Sequence, residues 1–206
     1  MQSTIKIGKI KTSKTELQDI AKAWLALSLA FAFIYSGASL MRGNISNLFS
    51  SNFLVIFVIS IFTAGLGFLL HELSHKLVAQ KYGCTAEFRA FDQMLYLAVG
   101  LAAVVGFIFA APGAVMISGM ITRKENGLIS AAGPATNYIL GMIFLALNIF
   151  VPALAMVWNT GFFINIWLGL FNLIPFGNLD GLKVLRWNHF VWGLMVAFGV
   201  YFIFIF

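Results

Sequence analysis

Charged residues are scarce in this sequence of 206 residues. They make up 10% of the chain, whereas hydrophobic residues make up 61%. Soluble domains carry about 25% charged residues, and disordered chains combine low hydrophobicity with high net charge. The composition therefore excludes both a soluble globular enzyme and a disordered chain. It indicates an integral membrane protein.

Cysteine, sequence repeats and acidic residues are also rare or missing. The single cysteine, Cys84, excludes an internal disulfide and a cysteine-based metal cluster. No internal repeat or coiled-coil heptad is visible. Lys and Arg number 13 against 7 Asp and Glu. In a membrane protein, such an excess marks the loops that stay in the cytoplasm, so we expect no nucleic-acid partner.

Apolar runs divide the chain into membrane-spanning segments. At roughly 20 residues per helix, the length leaves room for at most about six spans. Residues 1–18 are polar and basic, and they are predicted to form a cytoplasmic N-terminal arm. Residues 19–206 are predicted to form a single membrane-embedded domain. The predicted spans within it are about 20–40, a long helix at about 52–82, and about 127–150, 154–174 and 187–206.

Residues 94–118 are apolar enough for a sixth span, but the distribution of charge favours a re-entrant segment. With Lys22 left out of the count, one crossing puts seven basic residues on one side and five on the other. A dip and return puts eleven on one side and only Arg42 on the other. The positive-inside rule prefers the second arrangement. Glycines and Pro112 separate a helix-like piece, ending at about Val105, from an extended piece, FIFAAPGAVMI. Such a piece is tolerated at membrane depth only beside protein or a water-filled cavity.

The predicted fold class is accordingly an all-α polytopic membrane protein with five to six transmembrane helices. A re-entrant or short β element is expected between the helix at about 52–82 and the next span.

The chemistry of the chain is indicated by His71-Glu72-Leu73-Ser74-His75, an HExxH motif on a helix. Histidines four residues apart share a helix face, so both imidazoles can reach one metal ion, while Glu72 can accept a proton from a water at the site. The plainer interpretation is that these side chains only satisfy buried hydrogen bonds. Ionisable residues in membrane helices are costly and usually functional, which favours the metal site. For His189, at the start of the last span, we predict an interfacial structural role.

A zinc hydrolase needs a third protein ligand and leaves the fourth position to water. Asp180 is the favoured ligand because it lies in the distinctive segment FNLIPFGNLDG after the span 154–174. The re-entrant topology places it on the same side of the membrane as the two histidines. Glu87 and Asp92 are competing candidates, although pairing with basic groups is their favoured role. A helix N-cap is the alternative role for Asp180.

Three motifs together resemble the site-2 protease family of intramembrane zinc metalloproteases, peptidase family M50. They are HELSH at 71–75, AAGPATN at 131–137 and NLIPFGNLDG at 172–181. The resemblance covers roughly residues 52–187.

This resemblance implies a role for each matching residue. His71, His75 and Asp180 would be the ligands of one Zn²⁺ per chain, Glu72 the general base, and Asn172 the side chain that holds the scissile carbonyl oxygen. It also implies that extended strands after the HExxH helix line a cleft where an unwound substrate pairs by strand addition. FIFAAPGAVMI resembles that element.

We therefore expect an intramembrane endopeptidase that hydrolyses membrane-spanning substrates by zinc-activated water, as in regulated intramembrane proteolysis. Its expected partners are a membrane-spanning protein or peptide and the lipid bilayer. Its expected location is the cell membrane, with the active site near the cytoplasmic side. The alternatives are a zinc-binding transporter or chaperone and a non-proteolytic scaffold for membrane helices. A transporter would need further acids or histidines along its spans, and the sequence offers almost none.

Overall fold

Helices dominate the computed structural model, which describes residues 4–7, 10–108 and 112–206. The α-helices are α1 (Lys14–Ser36), α2 (Ser51–Ser60), α3 (Leu66–Lys81), α4 (Asp92–Val105), α5 (Arg123–Phe150), α6 (Ala155–Asn172), α7 (Asp180–Trp187) and α8 (His189–Phe204). The strands are β1 (Thr4–Ile7), β2 (Ile10–Ser13), β3 (Thr85–Ala90) and β4 (Gly113–Ser118). β1 pairs with β2, and β3 pairs with β4.

The chain forms two compact units. The first comprises Met1–Leu66 and Phe88–Ala114, and the second comprises Gly67–Glu87 and Val115–Phe206. The predicted division at residue 18 into an arm and one membrane domain stays a prediction.

Four helices among the described residues are long and apolar enough to cross a membrane, which confirms the polytopic α-helical architecture. They are Lys14–Ser36, Ser51–Lys81, Arg123–Phe150 and Pro152–Asn172. The last predicted span, 187–206, forms a helix of only 16 residues, fewer than the roughly 20 that a bilayer requires. Asn188 shortens it, since its side chain accepts hydrogen bonds from the N–H groups of Phe190 and Val191 and so starts a new helix there.

The N-terminal segment is folded in the first unit. β1 and β2 pair as an antiparallel hairpin, with Thr4 opposite Ser13, and α1 begins directly afterwards at Lys14. Glu16 is fully buried; its two carboxylate oxygens accept hydrogen bonds from the Thr12 hydroxyl at 2.6 Å and the Phe88 N–H at 2.8 Å. The hairpin and the first turn of α1 are thereby tied to β3.

Backbone hydrogen bonds hold both ends of α4 in the first unit. At the near end, the Phe91 N–H donates to the Pro112 carbonyl at 3.0 Å. At the far end, the N–H groups of Leu40 and Met41 donate to the carbonyls of Ala103 and Val104, so the end of α4 is capped by the residues after α1. A helix of 14 residues is about 21 Å long, too short for a hydrocarbon core of about 30 Å.

The predicted short β element between the HExxH helix and the next span is therefore confirmed, whereas the re-entrant path of 94–118 through the membrane stays a prediction. α4 ends at Val105, as expected, where Gly106 adopts a left-handed φ of 79°. The extended piece is observed as β4 from Gly113 onward. Residues 109–111 of FIFAAPGAVMI lie outside the described residues.

An ion-pair network joins α1 to the start of α4. Lys22 Nζ lies 3.0 Å from Asp19 Oδ1 and 2.7 Å from Asp92 Oδ1. Asp92 thus pairs with a basic group, as predicted. The Lys22 side chain remains 47% exposed, so the network contributes to the position of α4 more than to stability.

In the second unit, α5 and α6 pack through an apolar cluster that also contacts α8. Its buried members are Tyr138, Phe144, Phe162, Ile166 and Leu173. At the other end of α5, Thr122 and Glu125 form a reciprocal capping box that fixes where the helix begins.

Cysteine labelling tests whether 94–118 crosses the bilayer. In a Cys84→Ser background, we expect Met120→Cys and Lys81→Cys to react with a membrane-impermeant reagent from the same side. Phe49→Cys should react from the opposite side. Met120 and Phe49 are 99% and 86% exposed, so access to the reagent is not limiting. Reaction of Met120→Cys on the side of Phe49 would establish a true crossing.

Candidate metal centre

The two histidines of the HExxH motif lie one turn apart on α3, on the same buried face. His71 is 4% exposed and His75 is 7% exposed. Their ring centroids are 4.7 Å apart and the rings are nearly perpendicular. The helix thus presents both imidazoles to one point, as the i, i+4 spacing predicts.

Asp180 completes a group of three donors. Its Oδ2 lies 3.2 Å from His71 Nε2 and 3.1 Å from His75 Nε2. One ligand atom from each residue lies within 4.8 Å of the others, and all three residues are buried. Asp180 is the first residue of α7, and Leu179 occupies the N-cap position. The carboxylate therefore faces the histidines instead of capping the helix.

The glycine that follows Asp180 allows α7 to start at this position. Gly181 packs so closely against the Leu173 carbonyl that there is no room for a Cβ atom. The Leu173 carbonyl also accepts a hydrogen bond from Trp192 Nε1 at 2.8 Å, so it is held in place from the side of α8. Asp180 is thereby positioned by the backbone that precedes it.

The second nitrogen of each imidazole faces an acceptor on α5. His71 Nδ1 lies 2.6 Å from Asn137 Oδ1, and His75 Nδ1 lies 2.7 Å from the Ile129 carbonyl oxygen. Both Nδ1 atoms are therefore assigned as N–H donors, and Nε2, which lies next to Asp180, is the nitrogen of each ring whose lone pair can bind a metal.

Gly133 leaves the space in front of these lone pairs open. A Cβ at Gly133 would lie 2.5 Å from Nε2 of both His71 and His75. Heavy atoms do not approach so closely without displacement, so only glycine fits here. Ile129, Gly133 and Asn137 follow each other at intervals of four residues and share one face of α5.

These residues fit a zinc ion. Two imidazole nitrogens and one carboxylate oxygen are a common ligand set of catalytic zinc, with a fourth position left for water. Burial alone would raise the pKa of Asp180, but the charges and hydrogen bonds of His75 and His71 outweigh it and hold this pKa below its usual value. The carboxylate is thus ionised and ready to bind a cation.

Glu72 follows the first histidine and lies beside β4. Its carboxylate accepts a hydrogen bond from the Val115 backbone N–H. The side chain is half-buried, and the charges of His71, His75 and Asp180 all act on it. Glu72 therefore lies within the electric field of the three donors.

Asn172 is not joined to the three donors in the described part of the chain. It ends α6, and its Nδ2 donates to the Leu168 carbonyl of the same helix at 2.9 Å. Its predicted role in holding a carbonyl oxygen stays a prediction.

The competing residues do not enter the site. Asp92 pairs with Lys22, and His189 is exposed at the first position of α8. Glu87 is not in the metal-binding group formed by the described residues.

Sequence reasoning missed the residues of α5 that hold the two imidazoles. The motif AAGPATN, which ends at Asn137, supports the family resemblance but does not itself indicate a contact with the histidines. The regular spacing of Ile129, Gly133 and Asn137 is the signal that places them on one helix face.

Comparison with known proteins shows similarity to metalloproteases. "Putative zinc metalloprotease MJ0611" of Methanocaldococcus jannaschii is 40% identical over 187 residues, which cover 89% of this chain and 90% of that protein. "Zinc metalloprotease MJ0392" of the same organism is 29% identical, over 77% of this chain and 39% of its own length. "Putative zinc metalloprotease YwhC" of Bacillus subtilis is 31% identical, over 61% of this chain and 67% of its own. No family model matches the chain, and no solved structure matches it.

Substitution of Gly133 tests the position of the metal. We expect Gly133→Ala to lower zinc affinity by about 10–100-fold, the usual scale for disturbing the support of a ligand, because the methyl group displaces both imidazoles. Gly193→Ala is the matched control, since nothing lies within 4 Å of a Cβ there. Competition with a chromophoric chelator measures both. Unchanged affinity in Gly133→Ala would show that the metal does not bind between the two Nε2 atoms.

Proposed function

Since this chain belongs to the site-2 protease family of zinc metalloproteases, we propose that it is an intramembrane endopeptidase with one zinc ion per chain. Its substrates are membrane-spanning proteins or peptides. The observation that carries the proposal is the convergence of His71, His75 and Asp180 beside Glu72, in a chain with four helices suited to a bilayer.

The zinc ligands are Nε2 of His71, Nε2 of His75 and the carboxylate of Asp180. When bound there, zinc supplies a water of lowered pKa and polarises a peptide carbonyl. The chain orients its own ligands for this purpose: α5 holds both Nδ1 atoms, and Gly133 keeps the approach to the Nε2 atoms open.

Glu72 is the general base of the proposed reaction. Its carboxylate accepts a proton from the attacking water as the new C–O bond forms at the peptide carbon. It then delivers that proton to the nitrogen of the leaving amine as the C–N bond breaks. The hydrogen bond from the Val115 N–H orients the carboxylate between these two transfers.

Asn172 is the proposed donor to the developing oxyanion. Its Nδ2 donates one hydrogen to the Leu168 carbonyl, so its second hydrogen is the one proposed to bind the oxyanion. A donor that acts only in the transition state contributes to the rate more than to substrate binding.

β4 is the proposed substrate-binding strand. A peptide bond inside a membrane helix is shielded by its helical hydrogen bonds, so the substrate unwinds before it is cut. Strand addition beside β4 would present the unwound backbone close to Glu72, because Val115 of β4 contacts that carboxylate.

The proposed location is the cell membrane, with the active site near its cytoplasmic side. The proposal takes residues 94–118 to dip into the bilayer and return, which leaves most of the basic residues on one side. The positive-inside rule assigns that side to the cytoplasm. The proposed partners are the bilayer and the membrane-spanning substrate, and nucleic acid is not among them.

Substitution of the general base tests the mechanism and separates a protease from a metal carrier. Glu72→Gln preserves size but cannot accept a proton at neutral pH. Zinc content should stay at the parent level while cleavage of a membrane-spanning reporter in proteoliposomes falls by at least about 10²-fold. His75→Ala should lose zinc and activity together.

Glu87→Gln is the matched control, because Glu87 is an acid of the same unit outside the metal-binding group. It should cleave as fast as the parent. Cleavage by Glu72→Gln at the parent rate would exclude the proposed mechanism. Zinc transport that persists in this variant without cleavage would favour a carrier.

A further inference from the structure

A buried chain of amide side chains extends from His71 through α5 to α6. His71 Nδ1 lies 2.6 Å from Asn137 Oδ1, and Asn137 Nδ2 lies 3.1 Å from Asn165 Oδ1. Asn165 Nδ2 donates in turn to the Gly161 carbonyl at 2.8 Å. Asn137 and Asn165 are both fully buried. The proposed function uses only the contact of Asn137 with His71 and gives Asn165 no role.

The direction of every hydrogen bond in this chain is determined. Asn165 must turn its Nδ2 toward the Gly161 carbonyl, because a carbonyl oxygen only accepts, and its Oδ1 therefore faces Asn137. Asn137 Nδ2 meets two acceptors, Asn165 Oδ1 and the Gly67 carbonyl oxygen at 3.1 Å. Its own Oδ1 is left to face His71. If the Asn137 amide were flipped, its Oδ1 would face two other acceptors, Asn165 Oδ1 and the Gly67 carbonyl oxygen, and could bond to neither.

We infer that Asn137, oriented by Asn165, is a positioning residue that holds His71 in the tautomer with a proton on Nδ1 and a free lone pair on Nε2. An oxygen in front of Nδ1 can only accept, so the ring proton stays on Nδ1 and Nε2 points to the metal. The inference rests on the proposed zinc site, and it assigns two residues that act on the metal without contacting it.

Glycines on three helices make room for this network. Each of three glycines lies one helical turn before a residue of the network, on the same helix face. Gly67 precedes His71, Gly133 precedes Asn137, and Gly161 precedes Asn165, each by four residues. A Cβ at Gly67 would collide with Asn165 Oδ1. The helices thus approach closely enough for short amide side chains to meet, as small residues permit in membranes.

Two substitutions at Asn137 separate the acceptor from mere packing. Asn137→Leu has a similar volume and no acceptor, and we expect it to lower zinc affinity by about 10–100-fold in chelator competition. Asn137→Asp retains an acceptor toward Nδ1, and as a protonated acid its O–H donates to one of the two oxygens that Nδ2 served, so it should stay within about threefold of the parent. Asn148→Leu, the same change in the same helix, should have no effect.

Nitrogen NMR of histidine-labelled protein gives a readout that does not depend on activity. In the parent, in Asn137→Asp and in Asn148→Leu, we expect His71 to show the signature of the Nδ1–H tautomer. In Asn137→Leu, His71 should show a mixture of tautomers. Asn165→Ala should shift the spectrum in the same direction, because Asn137 then loses one of its two orienting acceptors.

Failure of this inference is distinguishable from failure of the proposed function. If the parent binds zinc and cleaves its reporter while Asn137→Leu retains both the affinity and the Nδ1–H signature, the positioning role is overturned and the protease stands. Equal losses in Asn137→Leu and Asn137→Asp would also overturn it, since packing alone would then explain the effect. If the parent binds no zinc, the proposed function itself fails.

Discussion

The metal centre depends on giving every buried polar atom a partner without help from bulk water. An unpaired buried group costs about 1–3 kcal/mol, and a charged one costs more. Nε2 of both His71 and His75 faces Asp180, and each Nδ1 faces an acceptor on α5. One face of a single helix therefore satisfies both imidazoles. The acceptors on α5 also determine that each ring carries a proton on Nδ1. The hydrogen bonds that compensate for burying the imidazoles therefore leave Nε2 as the nitrogen that can bind a metal.

Because Asn137 on α5 needs hydrogen-bond partners of its own, α5 and α6 have to pack closely. Lipid provides no hydrophobic force between helices, so small residues and interhelical hydrogen bonds hold them together. Gly161 lies under the ring of Phe144, and Gly169 lies under the ring of Tyr138, with no space for a Cβ in either place. These contacts bring the two backbones together. Only at such a distance can Asn137 reach a residue on the neighbouring helix at 3.1 Å.

The sequence predicted those parts of the site whose chemistry lies within a short segment. His71 and His75 meet because of their spacing, and the Pro- and Gly-rich surroundings of Asp180 marked it among the few acids. The partner of His71 could not be derived in this way, because Asn137 lies 66 residues away and an amide in a membrane helix has many possible partners. The residue at which α8 begins could not be derived from hydropathy either, since hydropathy does not register the N-cap formed by the Asn188 side chain.

Hydropathy likewise predicted the long HExxH helix without its internal irregularity. Ser51–Lys81 is continuous, but Ile61–Gly65 is π-helical, and such a turn changes which residues share a face before and after it. Trp24 Nε1 donates to the Ile61 carbonyl at 3.1 Å, and Gly65 lies against Trp24 and Ser28 with no space for a Cβ. In the first unit, α1 thus packs on the π-helical turn itself. The histidines begin six residues later in the same continuous helix, and no periodic pattern of apolar residues encodes the π-helical turn that precedes them.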